Sequence, residues 1–184
     1  MDRTALEALQ MHGQDIPWLL RHWAEHKPDH PVLVWEPTEG EGRRWTYAEL
    51  LADVEGLAAG LADRGVAPGD KVLVHADNCP EMVLAWLACA TVGAVGVTTN
   101  TRSVASEIAY FVDHTGCVAA ITQSHHLSRV SEAGPGLKWI AVIASDEPDD
   151  GAAGGAVDGT AEQIPFEALR GDATTWTGRA SSSA

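Results

Sequence analysis

Lys71-Val72-Leu73-Val74-His75, Ala94-Val95-Gly96-Val97-Thr98 and Val118-Ala119-Ala120-Ile121-Thr122 are three short apolar runs, each preceded by a helical pattern, within the segment from Trp45 to Thr122. The first helix opens at Thr46-Tyr47-Ala48-Glu49, the spacing of a capping box, where a Thr hydroxyl and a Glu carboxylate satisfy backbone N–H groups. Leu50, Val54, Leu57, Ala58 and Leu61 form its apolar stripe, and Gly65 with Pro68-Gly69-Asp70 turns the chain into the first strand. Pro80 and Glu81 suit the first turn of a second helix, because an early N–H needs no partner and the carboxylate meets the positive end of the helix dipole. Its apolar sequence predicts a buried helix ending at Gly93, and the unbroken apolar character of Ala94 to Thr98 predicts a parallel strand covered on both faces. A third helix from about Val104 to Asp113, carrying Ile108, Phe111 and Val112, stops at Gly116 before the third strand. Helix followed by strand, three times over, predicts an α/β fold with parallel-sheet layers and flanking helices, doubly wound.

The pattern extends in both directions. Upstream, Asp15 suits a helix cap with Pro17 in the first turn, and Ile16, Leu19, Leu20 and Trp23 share one face until Pro28 stops the helix. Val32 to Trp35 and a second strand at Trp45, joined through the polar segment from Glu36 to Arg44, predict a hairpin-like pair. Downstream, a shorter helix near His126 to Glu132, a strand from Trp139 to Ile143 and a helical turn from Phe166 to Leu169 continue the alternation. Residues 145–160 have the composition of an acidic, glycine-rich surface loop; Asp146, Glu147, Asp149 and Asp150 lack the ordered ligand spacing of a calcium loop. Thr174 to Ala184 is too poor in apolar residues to fold alone and reads as linker.

A chain of 184 residues is long enough to bury a sizeable core. Its 12 basic against 26 acidic residues give a formal charge of -14, which argues against nucleic acid and anionic membrane as partners, since both are held by clustered Lys and Arg. Cys79, Cys89 and Cys117 are odd in number and lack zinc-ligand spacing, so they read as buried thiols of a reducing compartment. The first residues lack the basic and apolar regions of a signal peptide, and cytoplasmic location is the expectation. The charge-free run from Met82 to Val97 is shorter than the ~20 residues a membrane span needs, and Gly93 and Gly96 interrupt it, so it reads as a buried helix entering a strand.

Five blocks carry a resemblance: Trp45-Thr46-Tyr47-Ala48-Glu49-Leu50, Gly65-Val66-Ala67-Pro68-Gly69-Asp70-Lys71-Val72, Asn78-Cys79-Pro80-Glu81, Gly93-Ala94-Val95 and Asn100-Thr101-Arg102. In that order they resemble the N-terminal subdomain of the AMP-forming acyl-CoA synthetase and ligase superfamily, which also contains luciferases and the adenylation domains of peptide synthetases. The resemblance runs from about Asp15 to Phe166 and looks most like bacterial CoA ligases of the carnitine or medium-chain acid type. It implies that residues 1–170 are the N-terminal part of an AMP-binding domain and 171–184 a linker ahead of the family's phosphate loop. It also implies a two-step reaction: a small carboxylic acid attacks the α-phosphate of ATP, with Mg²⁺, to give acyl-AMP and pyrophosphate, and CoA then displaces AMP. The family's Thr/Ser/Gly-rich loop ending in Pro-Lys-Gly, its ribose-binding Asp and its C-terminal Lys have no counterpart in this sequence. Thr177-Gly178-Arg179-Ala180-Ser181-Ser182-Ser183 lacks the Lys and the repeated glycines. The expectation is therefore an incomplete ligase, inactive alone, with no catalytic residue and no tightly held cofactor of its own. One position carries over: Arg102, with Asn100 beside it, stands where the CoA-ligase branch has a basic residue that reaches CoA phosphates. A surface Arg anchoring the next helix is the competing reading, and Val104 stands where the family has a capping Thr or Ser.

His22, His26 and His30 recur at a spacing of four, but Pro28 separates the last and no metal-binding motif accompanies them, so they read as a solvated face. His125-His126 begins a helix or loop with no nucleophile partner defined by sequence, and no metal site is assigned. The seven tryptophans read as packing residues, with Trp23 and Trp86 on buried faces. Beside the ligase reading stand a non-catalytic docking or regulatory module that pairs with a separate catalytic chain, and an unrelated nucleotide-binding α/β domain. A homo-oligomer is left open.

Overall fold

The computed structural model describes residues 14–37, 40–145 and 161–173. The acidic, glycine-rich stretch after Ser145, the Thr- and Ser-rich end from Thr174, and residues 38 and 39 of the predicted turn lie outside the described residues.

Helix α1, Ile16–His26, is capped by Asp15, whose Oδ1 accepts the Trp18 N–H at 2.8 Å. Only Leu20 of its apolar face is buried. Leu19 is 47 % exposed and Trp23 half-buried, against the expected buried face. Trp23 instead stacks on Tyr47, with Lys27 Nζ 4.8 Å from its ring centroid. Strands β1, Pro31–Trp35, and β2, Arg43–Thr46, pair antiparallel with Leu33 opposite Trp45, as the hairpin reading predicted.

Helix α2, Tyr47–Asp63, starts at the expected capping box. Thr46 Oγ1 accepts the Glu49 N–H at 3.3 Å, and Glu49 Oε2 accepts the Thr46 N–H at 2.8 Å. Thr46→Ala is expected to cost about 1 kcal/mol of stability, the usual worth of an N-cap side chain, measured by urea unfolding. A change indistinguishable from zero would mean that packing alone positions this helix start. Leu50, Val54, Leu57, Ala58 and Leu61 are all buried.

Five parallel strands follow: β3, Lys71–His75; β4, Val95–Thr98; β5, Cys117–Gln123; β6, Trp139–Ile143; and β7, Glu162–Pro165, in the order β4-β3-β5-β6-β7. Helices α3, Pro80–Val92, α4, Ala105–Thr115, and α5, Leu127–Ala133, fill the connections. A short 3₁₀ turn, Ser124–His126, precedes α5, and another, Phe166–Leu169, follows β7. Alternating strand residues point to opposite faces. Val72, Ala119, Ile121, Ala141 and Ile143 pack with Leu57, Leu61, Leu84 and Ala88 of α2 and α3. Leu73, Ala120 and Ile140 pack with Ile108, Val112 and Val130 of α4 and α5. The fold is thus a parallel sheet with helices on both faces.

Two expectations fail here. Strand β4 lies at the edge of the sheet, not covered on both faces; Val95 is 51 % exposed, and the apolar run reflects parallel pairing on one side only. Trp86, expected in the core, is 43 % exposed and lies over Gly96, where an added Cβ would come within 3.1 Å of its ring. No helix among the described residues is long and apolar enough to cross a membrane.

Candidate functional site

The strand order reverses at β3: β4 pairs on one side of it, and β5, the next strand in sequence, on the other. In open parallel sheets the crevice beyond the strands' carboxyl ends at such a reversal is the usual place for ligands. Asp77 leaves the end of β3, residues 99–101 leave β4, His125 and His126 leave β5, and Ser145 leaves β6. These loops converge. Asp77 Oδ2 lies 3.0 Å from His125 Nε2 and 3.0 Å from His126 Nε2, although 48 and 49 residues separate the partners. Asp77 Oδ1 accepts the Thr101 hydroxyl at 2.6 Å, and the Asp77 backbone N–H donates to Gln123 Oε1 at 2.7 Å. His125 Nδ1 lies 3.1 Å from Ser145 Oγ.

A third imidazole packs against this group. His75, the last residue of β3, is fully buried, its Nδ1 2.8 Å from Thr99 Oγ1 and its ring edge-on to His126 with centroids 5.0 Å apart. Burial, reinforced by the neighbouring His126 and Arg129, pushes the His75 pKa down to about 4. Burial also lowers His126, partly opposed by its hydrogen bond to Asp77. At Asp77 burial works upward, but hydrogen bonds from Thr101, His125 and His126 outweigh it and hold the carboxyl at about 2. Near neutral pH the cluster therefore holds a carboxylate facing a neutral His126 ring, a set suited to cation ligation or proton transfer but ill suited to binding an anion.

Asn100 and Arg102, the residues the sequence nominates, lie exposed on the rim in the loop between β4 and α4. Asn100 Oδ1 accepts the Arg102 backbone N–H at 2.9 Å, which fixes the turn. Arg129 Nη1 donates to Thr101 O at 2.9 Å, tying the same loop to α5. Val104 supplies no side-chain cap for α4 and is 57 % exposed; its own N–H donates to Glu107 Oε2 at 3.2 Å. His22, half-buried, and His26, exposed, stack with centroids 4.1 Å apart, and the exposed His30 stands apart beside Tyr47, in keeping with a largely solvated face. The Asp77, His125 and His126 group was not found by sequence reading; the signal available was chemistry-bearing residues just past two strand ends. Cys79, Cys89 and Cys117 are all buried free thiols, and burial raises each, to about 11 for Cys79 and about 12 for Cys89.

A family model described as AMP-binding enzyme matches residues 20–173. A crotonobetaine/carnitine–CoA ligase from Salmonella paratyphi A is 30% identical over 144 residues, covering 76% of this chain and 28% of the relative. Among solved structures, a candidate long-chain-fatty-acid CoA ligase from Rhodopseudomonas palustris superposes with a TM-score of 0.71 at 27% identity, covering 88% of this chain and 37% of that one. Acetoacetyl-CoA synthetase from Streptomyces lividans gives a TM-score of 0.69 at 25% identity, covering 85% and 25%. The chain spans about a quarter of the length of the curated relatives it matches.

Proposed function

The chain belongs to the AMP-binding enzyme family, and from that premise we propose that it is the N-terminal part of an ATP-dependent, AMP-forming acyl-CoA ligase. In the whole protein a small carboxylic acid is activated as acyl-AMP and passed to CoA, with Mg²⁺ assisting at the phosphates. Residues 1–170 are the opening of the AMP-binding domain and 171–184 a linker toward the phosphate loop. The observation that carries the reading is the family match across residues 20–173, on the sheet order that brings four loops to one edge. The carnitine-type branch is favoured by the 30% identity to crotonobetaine/carnitine–CoA ligase.

The described residues do not fit a triphosphate. Adenylyl transfer needs donors and cations around the phosphates to offset developing charge. Here the carboxylate of Asp77 stands at the centre of the sheet edge, and Arg129 is spent on backbone carbonyls. The chemistry of adenylation is therefore assigned to the rest of the whole protein. Arg102 is proposed instead to reach a CoA phosphate, supported by its exposure and by the turn that Asn100 holds rigid. Three buried free thiols favour a reducing, cytoplasmic setting.

The test is ATP–pyrophosphate exchange. The pure 184-residue chain is expected to give no exchange above a no-enzyme control with short, medium or long carboxylic acids. Exchange by this chain alone would overturn the division of labour proposed here.

A further inference from the structure

We propose that Asp77, His125 and His126 bind a divalent transition-metal ion of the zinc type, at a site separate from the Mg²⁺ that accompanies ATP. The three side chains each offer one donor atom, and these atoms lie within 4.8 Å of one another. Both Nε2 atoms lie 3.0 Å from the same carboxylate oxygen, Asp77 Oδ2. With metal–ligand bonds of ~2.0–2.1 Å, neighbouring ligands of a tetrahedral ion stand about 3.3 Å apart, so the two carboxylate–imidazole pairs open by a few tenths of an ångström while the two Nε2 atoms, within 4.8 Å of each other, settle to the same spacing. A shared site requires two consecutive residues to aim ring nitrogens at one atom. Here the tight turn Ser124–His126 does so, with the two rings tilted at 4.0 Å between centroids.

The surroundings hold the ligands from outside, as at established metal centres. Asp77 is oriented by Thr101 through Oδ1 and by Gln123 through its backbone N–H. His125, with Nε2 on the ion, presents Nδ1–H to Ser145 Oγ. His75 packs edge-on against His126 and is itself fixed by Thr99. The buried Nδ1 of His126 has no hydrogen-bond partner; it is a bare lone pair while Nε2–H meets Asp77 and carries the ring proton once Nε2 meets the ion, so His126 is the one ligand without an outer hydrogen bond. The Asp77 side chain is 46 % exposed while the two imidazoles are 5 % and 7 % exposed, so an ion enters from the Asp77 side and keeps a fourth position open to solvent. Two imidazoles and one carboxylate favour Zn²⁺, Ni²⁺ or Cu²⁺ over the hard ions Mg²⁺ and Ca²⁺, which take oxygen. The low pKa of Asp77 and the lowered pKa of His126 keep both in their ligating forms near neutral pH.

The stacked pair His22 and His26 is the rival for the same ion, so the test uses protein carrying His22→Ala and His26→Ala. Calorimetric titration of this chelator-stripped protein with Zn²⁺ is expected to show one ion per chain, with no heat from Mg²⁺. Asp77→Asn and His125→Gln are expected to weaken Zn²⁺ binding by at least about 100-fold, and Thr101→Val, which removes only the bond orienting the carboxylate, by about tenfold. Circular dichroism checks each fold. If His125→Gln fails to fold, the half-exposed Asp77→Asn decides, read by visible absorption of bound Co²⁺: loss of a tetrahedral band supports the site. Zn²⁺ affinity unchanged in Asp77→Asn, no Zn²⁺ binding once His22 and His26 are gone, or a Co²⁺ spectrum that is octahedral would each overturn it.

Discussion

Gly60→Val is expected to destabilise the protein by about 4 kcal/mol, a large share of the ~5–15 kcal/mol that holds an ordinary domain folded. Gly60 sits inside α2, where an alanine would ordinarily be favoured over glycine by roughly 0.5–1 kcal/mol. Packing reverses that preference. A Cβ built at Gly60 would overlap the carbonyl of Leu169 and stand 3.1 Å from Gly171 N, and backbone atoms cannot rotate aside as a flexible side chain can. The 3₁₀ turn Phe166–Leu169 would have to lift away, exposing Phe166 and Leu169, which are 2 % and 1 % exposed. Each is worth roughly 1.5–3 kcal/mol of burial. Gly56, one turn earlier, is the internal control: its Cβ would meet only Gly171 O, at 3.6 Å, so Gly56→Ala should be neutral or mildly stabilising. Urea unfolding of both variants reads the contrast. A Gly60 variant as stable as the parent would show that the turn docks less tightly than described.

The second large effect is acid sensitivity. The His75 imidazole has a pKa near 4 in the folded chain against an ordinary value of 6.5. Between those values the unfolded chain binds a proton that the folded chain refuses. Stability is therefore complete above the ordinary value, falls as pH drops through 6.5 toward 4, and changes no further from this group below that. The shift corresponds to about 3 kcal/mol. His126, Arg129 and His125 disfavour the extra charge and Asp77 favours it; burial is the largest cause. His126 adds to the loss in the same direction. His75→Gln keeps a polar partner for Thr99 and removes the titration, so its stability should vary less between pH 7 and pH 4.5 than the parent's, both measured by urea unfolding with chelator present. Equal slopes would sink this account.

Much of the architecture was legible because its determinants are local. The capping box at Thr46 and Glu49, the left-handed glycines Gly65, Gly93 and Gly116, and the apolar runs of β3 and β6 mark element ends within a few residues of themselves. Strand β7 was missed, since Glu162-Gln163-Ile164-Pro165 has a single buried apolar residue and earns its place only by pairing with β6. The covered β4 and the buried Trp86 failed for a related reason. Apolar content shows that a segment pairs or packs, and where it sits in the sheet is decided by strands elsewhere. The candidate site was the least legible part. Asp77 and His125 meet only because β5 docks beside β3, and no spacing rule in the sequence expresses that neighbourhood.

The strand order also permits a simple sequence of assembly. Strand β4 joins β3 first along the chain, β5 then takes the remaining free edge of β3, and β6 and β7 each add to the outer side of the strand before them. No later strand has to be inserted between two already paired ones. Each new pairing closes a loop against an existing template, which keeps the entropy to be overcome at each stage to that of one connection. A chain emerging from the ribosome can thus lengthen its sheet in one direction as it is made, with β4 left as the fixed starting edge.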